Sequence, residues 1–553
     1  MNTPPTSPAP IDDAPRRTFM GHPIGLFLLF LVEMWERFSY YGMRGLLILY
    51  LVRARNPEEP MPHLLGGVFD NPGREWSRAD ASTLYGWYTG LAYLLPVFGG
   101  IIADRLIGTH RSMVVGGTLI ALGHVALALA GLGELAHNHL GMSIFIGGLA
   151  LIVLGTGHFK PTVSVMVGQL YPPGDPRRDG GFTIFYMGIN LGAFLCAFVC
   201  GTLGERVGWH WGFGSAAVGM LAGLALYLWG KPRYLAGIGA PPPHARRAWP
   251  TVFLILGLAL AAVVAILFHA GAFDWLARQI ADFTSTRPRA AFGLALALFF
   301  ASVLAAAIFS ALQRPGDRGP VATIFIFMFF NAFFWIAFEQ AGSSINLFTD
   351  MYTDRNLGSF VVPTTWFQSV NPLLIILLAP VFGWAWTALG RRRLNPPQPV
   401  KIALGLLFLG VGYLFMVWGA SIARAGVQTP PDQPALAAAK ASMLFILATY
   451  FFHTVGELCL SPTGLSYVTK AAPVRFVSLL MGIWFISSFI ANLGGGLVAA
   501  QVERVEKGEF ELPWNLGGQA DFFMLFVVTS IAAGLIILAI TPLLRRIMRS
   551  PGD

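Results

Sequence analysis

Apolar runs long enough to cross a lipid bilayer recur from one end of this chain to the other, and they leave little choice of fold. A helix of about 20 apolar residues spans the ~30 Å hydrocarbon core. Inside that core every backbone N–H and C=O must be satisfied within the protein, so such runs wind into helices. Fourteen are read here, near 24–52, 82–103, 112–133, 142–170, 180–203, 213–230, 251–270, 288–312, 320–348, 366–389, 401–420, 441–469, 475–500 and 520–545. Only 12% of the 553 residues are charged, and the mean hydropathy is +0.62. Soluble globular chains carry about 25% charged residues. A soluble enzyme with a buried core is therefore excluded, and the expected class is an all-α membrane protein.

The net charge of +9 raises the question of a nucleic-acid partner, and its distribution answers it. Basic clusters such as Arg391-Arg392-Arg393 and Arg545-Arg546 fall on alternate connections, on the same side as both ends of the chain. The opposite connections are richer in Asp and Glu. This is the positive-inside pattern of a multi-pass membrane protein. It places both termini in the cytoplasm and implies no nucleic acid. Cys196, Cys200 and Cys459 all fall within spans, where free cysteine packs as a small apolar side chain. Their spacing suggests neither a disulfide framework nor a zinc site. No small-residue cleavage site follows the first span, so a removed signal peptide is not expected.

The linker KPRYLAGIGAPPPHARRAWP separates two blocks of six spans. The two spans after it, 251–270 and 288–312, are rich in Ala and Leu and carry no central charge, as lipid-facing elements would. The organisation expected is a tail at 1–23, a six-helix bundle at 24–230, and a linker with two extra helices at 231–319. A second six-helix bundle at 320–546 and a tail at 547–553 complete it. Two such bundles rocking about a central site describe many transporters. Residues Gly100, Asp104, Arg105, Gly108 and Arg111 join spans two and three with a spacing that resembles the major facilitator loop signature. Asp104 is expected to pair with the neighbouring arginines.

Seven charged residues lie deep inside the apolar runs: Glu33, Glu36, Arg37, Arg44, Lys160, Glu339 and Glu457. A charge at the bilayer centre costs roughly 2.5–3.5 kcal/mol even on a lenient scale. Such groups persist when they pair or face a wet cavity, where they move ions or substrates. Four share the first span, and with Tyr40 and Tyr41 they form one stripe at helical spacing. Glu33 and Arg37 can pair at i, i+4. That pairing leaves Glu36 and Arg44 to find partners on other spans. Four carboxylates against three cations leave one negative charge over, a set suited to taking up a proton.

The stripe itself, Glu33-x-x-Glu36-Arg37-Phe38-x-Tyr40-Tyr41, resembles the ExxERFxYY signature of the proton-dependent oligopeptide transporter family. Phe185-Tyr186-x-x-Ile189-Asn190-x-Gly192 is similar to its FYxxINxG signature. FWIAFEQAGSSINLF around Glu339, Gln368-Ser369-Val370-Asn371, and Glu457-Leu458-Cys459-Leu460-Ser461 fit the same family in order and spacing. The resemblance covers essentially the whole chain, and its bacterial members carry the added middle pair. It implies a major facilitator fold of 6+2+6 helices and a proton-coupled symporter importing di- and tripeptides across the inner membrane.

That resemblance also implies roles. Glu33, Glu36, Arg37, Lys160 and Glu339 would handle the proton. Arg44 and Lys160 would meet the peptide carboxylate. Glu457, assisted by Asn190 and Asn371, would hold the α-ammonium group, and Tyr41, Tyr93, Trp335, Ser461 and Trp484 would line the pocket. Glu339 would pair with Arg44 when ionised. The position of a proton-handling histidine in animal members corresponds here to Gly86, so coupling is expected to rest on carboxylates. His158 and His453 are expected to pack rather than to function. The implied protein is a monomer that needs no cofactor beyond the proton and has no enzymatic activity. The alternative is a transporter of nitrate or another small solute within the same family.

Overall fold

The computed structural model describes residues 17–54, 61–172, 174–425, 440–510 and 512–548. Residues 1–16 and 549–553, most of the two expected tails, lie outside the described residues. The first span is α1 (Ile24–Val52), which buries Glu33, Glu36, Arg37 and Arg44. Thirteen further spans among the described residues are long and apolar enough to cross a membrane. With α1 the described residues hold fourteen such spans, an even number that brings the last span back to the face from which the first starts, here the terminal face. The other is the distal face.

α2 (Arg78–Ile102), α3 (Thr109–Ala130), α4 (His139–Gln169), α5 (Arg178–Cys196, carried on by further helical turns to Arg206) and α6 (Trp209–Tyr234) pack with α1 as the first bundle. After the linker come α7 (Trp249–His269), α8 (Ala272–Thr286) and α9 (Pro288–Ala311). The second bundle begins with α10 (Pro315–Phe338), a 3-10 turn at Glu339–Gly342 and α11 (Ser344–Tyr352). It continues with α12 (Val370–Arg391), α13 (Gln398–Ala425), α14 (Met443–Ala471), α15 (Val477–Ala499) and α16 (Gln519–Ile547). Each bundle packs its own buried core of aromatic and branched side chains.

The inserted pair behaves as its composition implies. α7 leans on α3 and α4, whereas α9 touches mainly α10 and buries almost nothing. Between them α8 is a helix that the sequence reading missed. Phe273, Leu276, Ile280 and Phe283 share one side of it, Asp274, Arg278 and Asp282 the other, and none of its residues is buried. It is too short and too polar to register as a span, yet its pattern is that of a helix lying at a membrane surface.

The loop between α2 and α3 corrects one expectation. Asp104 and Arg105 are exposed, and no ion pair among the described residues joins Asp104 to an arginine. The motif's glycine does act as a spacer. Gly108 has φ +82°, and a Cβ there would lie 2.6 Å from Pro241 Cα. The loop is held by backbone fit against the linker: His244 Nε2 bonds the Arg105 carbonyl at 2.6 Å.

On the distal half the bundles touch directly. α2 crosses α15 at Gly86 and Gly496, so closely that a Cβ on Gly86 would sit 2.9 Å from Gly496 Cα. A side chain there would force the two helices apart, so glycine at position 86 lets them cross. Asn346 of α11 donates to the Gly45 carbonyl of α1 at 3.1 Å. Arg78 of α2 pairs with Glu506, just beyond α15, at 2.8 Å, and Tyr352 donates to the same carboxylate.

Candidate functional site

Between the bundles lies a cavity of about 430 Å³. α1, α2, α4 and α5 supply Arg37, Tyr41, Arg44, Tyr93, Lys160 and Asn190 to one wall. The facing wall carries Trp335, Glu339, Asn371, Glu457, Ser461 and Trp484. Of the residues given a proton-coupling or peptide-binding role in the sequence, all but Glu33 and Glu36 line it. Both stand behind Arg37, 3% and 1% exposed.

On α1 the guanidinium of Arg37 serves two carboxylates. Its Nε lies 3.1 Å from Glu33 Oε1, its Nη2 donates to Glu36 Oε1 at 2.7 Å, and Nε also contacts Glu36 Oε2. Glu36 thus finds its partner one residue along its own helix, not on another span as expected. The reason is reach: a long arginine can fold back onto a neighbour at i−1 while it spans the turn to i−4. One cation cannot fully satisfy two carboxylates, and Glu33 Oε2 is buried without a partner.

Arg44 leaves α1 two turns further on and crosses to the other bundle. It pairs with Glu339 and donates through Nε to the Tyr85 hydroxyl of α2. The rings of Tyr41 and Tyr85 lie 5.7 Å from the guanidinium carbon, a distance at which a ring face attracts a cation. Tyr85 was missed in the sequence. With Thr89 and Tyr93 it forms an i, i+4, i+8 polar stripe on α2, which is the signal that could have found it.

Lys160 and Glu457 differ from the other charges. Lys160 Nζ lies 3.6 Å from the centre of the Tyr93 ring. Glu457 accepts from Asn371 Nδ2 at 2.9 Å, and that amide also reaches Thr454 Oγ1 at 3.0 Å. No ion pair among the described residues includes either of them. Lys160 is therefore not bonded into the Glu33–Glu36–Arg37 group. Asn190 donates to the Tyr186 carbonyl of its own helix at 3.1 Å, so its amide nitrogen is not directed at Glu457.

The remaining wall is aromatic and amide in character. Trp335 meets Phe338 edge-on at 4.9 Å, and Trp484 packs over Gly464. Asn331, Tyr450, Ser488 and Asn492 also line the cavity and were not anticipated. Asn331 Nδ2, Asn492 Oδ1 and Ser461 Oγ are buried without hydrogen-bond partners, a costly state unless a ligand or water completes them. His158 shares a hydrogen bond with Ser112 at 3.1 Å, and His453 packs on Tyr413 with rings 4.7 Å apart. Neither lines the cavity.

Comparison with known proteins gives the same picture. Residues 110–514 match the model of the POT family. The chain is 38% identical over 548 residues to the peptide transporter YePEPT of Yersinia enterocolitica, covering 97% of both chains. It is 33% identical to a di-/tripeptide transporter of Lactococcus lactis subsp. cremoris, covering 96% of this chain and 98% of the relative. Crystal structures of peptide transporter POT with sulfate, and of a variant of it with alafosfalin, superpose with TM-scores of 0.74 and 0.73. They are 35% and 34% identical, and each comparison covers 97% of this chain and 98% of the other. The 6+2+6 arrangement is thus the major facilitator fold, and the chain belongs to the POT family.

Proposed function

We propose that this protein is a proton-coupled symporter that carries di- and tripeptides across the bacterial inner membrane by alternating access. It acts as a monomer with both termini in the cytoplasm, and the proton is its only coupling agent. The observation that carries the reading is the pair of unmatched charges on facing walls, Lys160 on α4 and Glu457 on α14. A small peptide presents a carboxylate and an ammonium group at its two ends. Extended backbone advances at most about 3.6 Å per residue, so two or three residues separate the charges by a span suited to such a cavity. A solute lacking either charge leaves a buried partner unsatisfied, which costs affinity. The YePEPT and Lactococcus relatives are named for peptides and di-/tripeptides, and the reading extends that cargo to this chain.

The chemistry of coupling follows from the other charges. In the closed-outside arrangement Arg44 is held by Glu339. Protonation of Glu339 from outside releases the guanidinium, which can then meet the peptide carboxylate beside Lys160. Loss of the proton to the cytoplasm restores the pair and expels the peptide. Glu33, which shares Arg37 with Glu36 and has one unpartnered oxygen, is the second carboxylate suited to accept a proton. One charge moved through 100 mV supplies about 2.3 kcal/mol, or roughly fifty-fold accumulation.

Proteoliposome uptake of labelled dialanine, with acid outside and a potential negative inside, tests the proposal. Accumulation above equilibrium that collapses with a protonophore is expected. Uptake of nitrate in place of dipeptide would move the protein to a different cargo.

A further inference from the structure

The cavity does not use one deeply buried carboxylate, Glu205, which is 1% exposed in the last distal turn of the α5 span. All the hydrogen bonds described for its carboxylate come from the opposite bundle. Oε2 accepts from the Thr364 N–H at 2.8 Å, and Oε1 accepts from the Thr365 N–H at 2.9 Å and the Thr365 hydroxyl at 2.7 Å. Arg355 stands 3.9 Å away, turned partly to Asp350 at 3.0 Å, and Asp350 also accepts from the Thr364 hydroxyl.

Thr364 opens the helical turn that runs into α12, and that turn has no side-chain cap of its own. Its first N–H groups need acceptors. Glu205 supplies them from another bundle, as an N-cap in trans, in the position where a negative charge also meets the positive end of the helix dipole. Neighbouring bonds close the same seam. Trp366 Nε1 donates to Thr202 Oγ1 at 2.9 Å, Arg206 donates to the Val361 carbonyl, and a Cβ on Gly201 would overlap Thr365.

We propose that Glu205 is the latch of the distal gate: it positions α12 against α5 in the closed-outside state and must release Thr364 and Thr365 for the outside to open. Glu205 itself does not line the cavity, although its partner Thr365 does, and no described bond joins it to the coupling carboxylates. When the seam opens, water can solvate both the carboxylate and the freed N–H groups, so the same bonds can break and re-form in each cycle.

This inference rests on the alternating-access reading but not on the cargo. The test is a distance distribution between spin labels at Trp211 and Leu357, exposed distal positions on the two bundles, with the three buried native cysteines replaced by alanine. In peptide-free proteoliposomes, Glu205→Gln should raise the ratio of the longer, open distance to the closed one about tenfold, the scale of losing a charge-assisted buried bond. Thr365→Val, which removes only the hydroxyl bond, should shift it the same way by about threefold. An unchanged distribution in folded Glu205→Gln protein overturns the proposal. If that variant does not fold, an unchanged distribution in Thr365→Val does so instead. Shifted distances in a protein that binds no dipeptide would leave the latch standing and sink the cargo reading.

Discussion

Arg44 of α1 and Glu339 at the end of α10 form an ion pair that joins the two walls of the cavity, and Tyr85 holds the same guanidinium from α2. The pair is buried, with side-chain exposures of 10% and 4%. Breaking such a pair by removing one partner leaves an uncompensated charge and costs about 3–5 kcal/mol. In the cycle proposed above that cost is met by a proton on one side and a substrate carboxylate on the other.

Glu339→Gln mimics the protonated state permanently. Proton-driven dipeptide uptake should fall by about a hundredfold or more, while exchange of labelled for unlabelled peptide at equal pH survives. Glu33→Gln should show the same split. Undiminished driven uptake in both variants would remove carboxylate coupling from the account.

Glu457→Gln keeps the Asn371 contact in shape but removes the negative charge. Dipeptide affinity measured by calorimetry should weaken about tenfold to a hundredfold, the range for a charge-assisted hydrogen bond. N-acetylated dipeptides, which carry no ammonium group, should bind wild type and variant alike. Equal loss for both ligand types would show that Glu457 acts on cavity shape rather than on the ammonium.

Lys160→Met should abolish dipeptide stabilisation in thermal-shift measurements and driven uptake together, because it removes the cation that, among the described residues, lines that wall outside any ion pair. Lys160→Arg should recover only part of either. A guanidinium carries the charge but not the compact ammonium that sits 3.6 Å over Tyr93.

Gly86→Ala places a methyl group 2.9 Å from Gly496 Cα. The helices α2 and α15 must separate to accept it, at a cost of about 1–3 kcal/mol. Since this crossing closes the distal half, the expected result is a lower melting temperature, slower uptake and a larger outward-open fraction. An unshifted melting curve with normal uptake would mean that the crossing tolerates more space than its geometry allows.

Membrane insertion is a local property, and for that reason the spans were legible without the fold. Each run of apolar residues must become a helix by itself, and α1, read as 24–52, is the helix Ile24–Val52. α8 escaped because its apolar face is visible only at helical spacing and is diluted by Asp274, Arg278 and Asp282. The charged residues of the cavity were legible because each is expensive in lipid. Tyr85 and Asn331 were not, since a lone tyrosine or asparagine in a span is cheap enough to need no special reason.

Partner choice was a different matter. The sequence by itself determined that seven charges lie deep inside apolar spans and that they must either pair or meet water. It also carried the motifs that placed the chain in its family. Only the tertiary structure decided that Arg37 takes both Glu33 and Glu36, that Arg44 crosses to Glu339, and that Lys160 and Glu457 stay free of ion pairs. Glu205 illustrates the same division: in sequence it is one acid at the end of a span, and its bonds to Thr364 and Thr365 exist only because two bundles meet there. The physical reason is range. Burial cost is paid residue by residue along the chain, whereas an ion pair or a cap depends on a few ångströms of separation that only the packing of distant helices fixes.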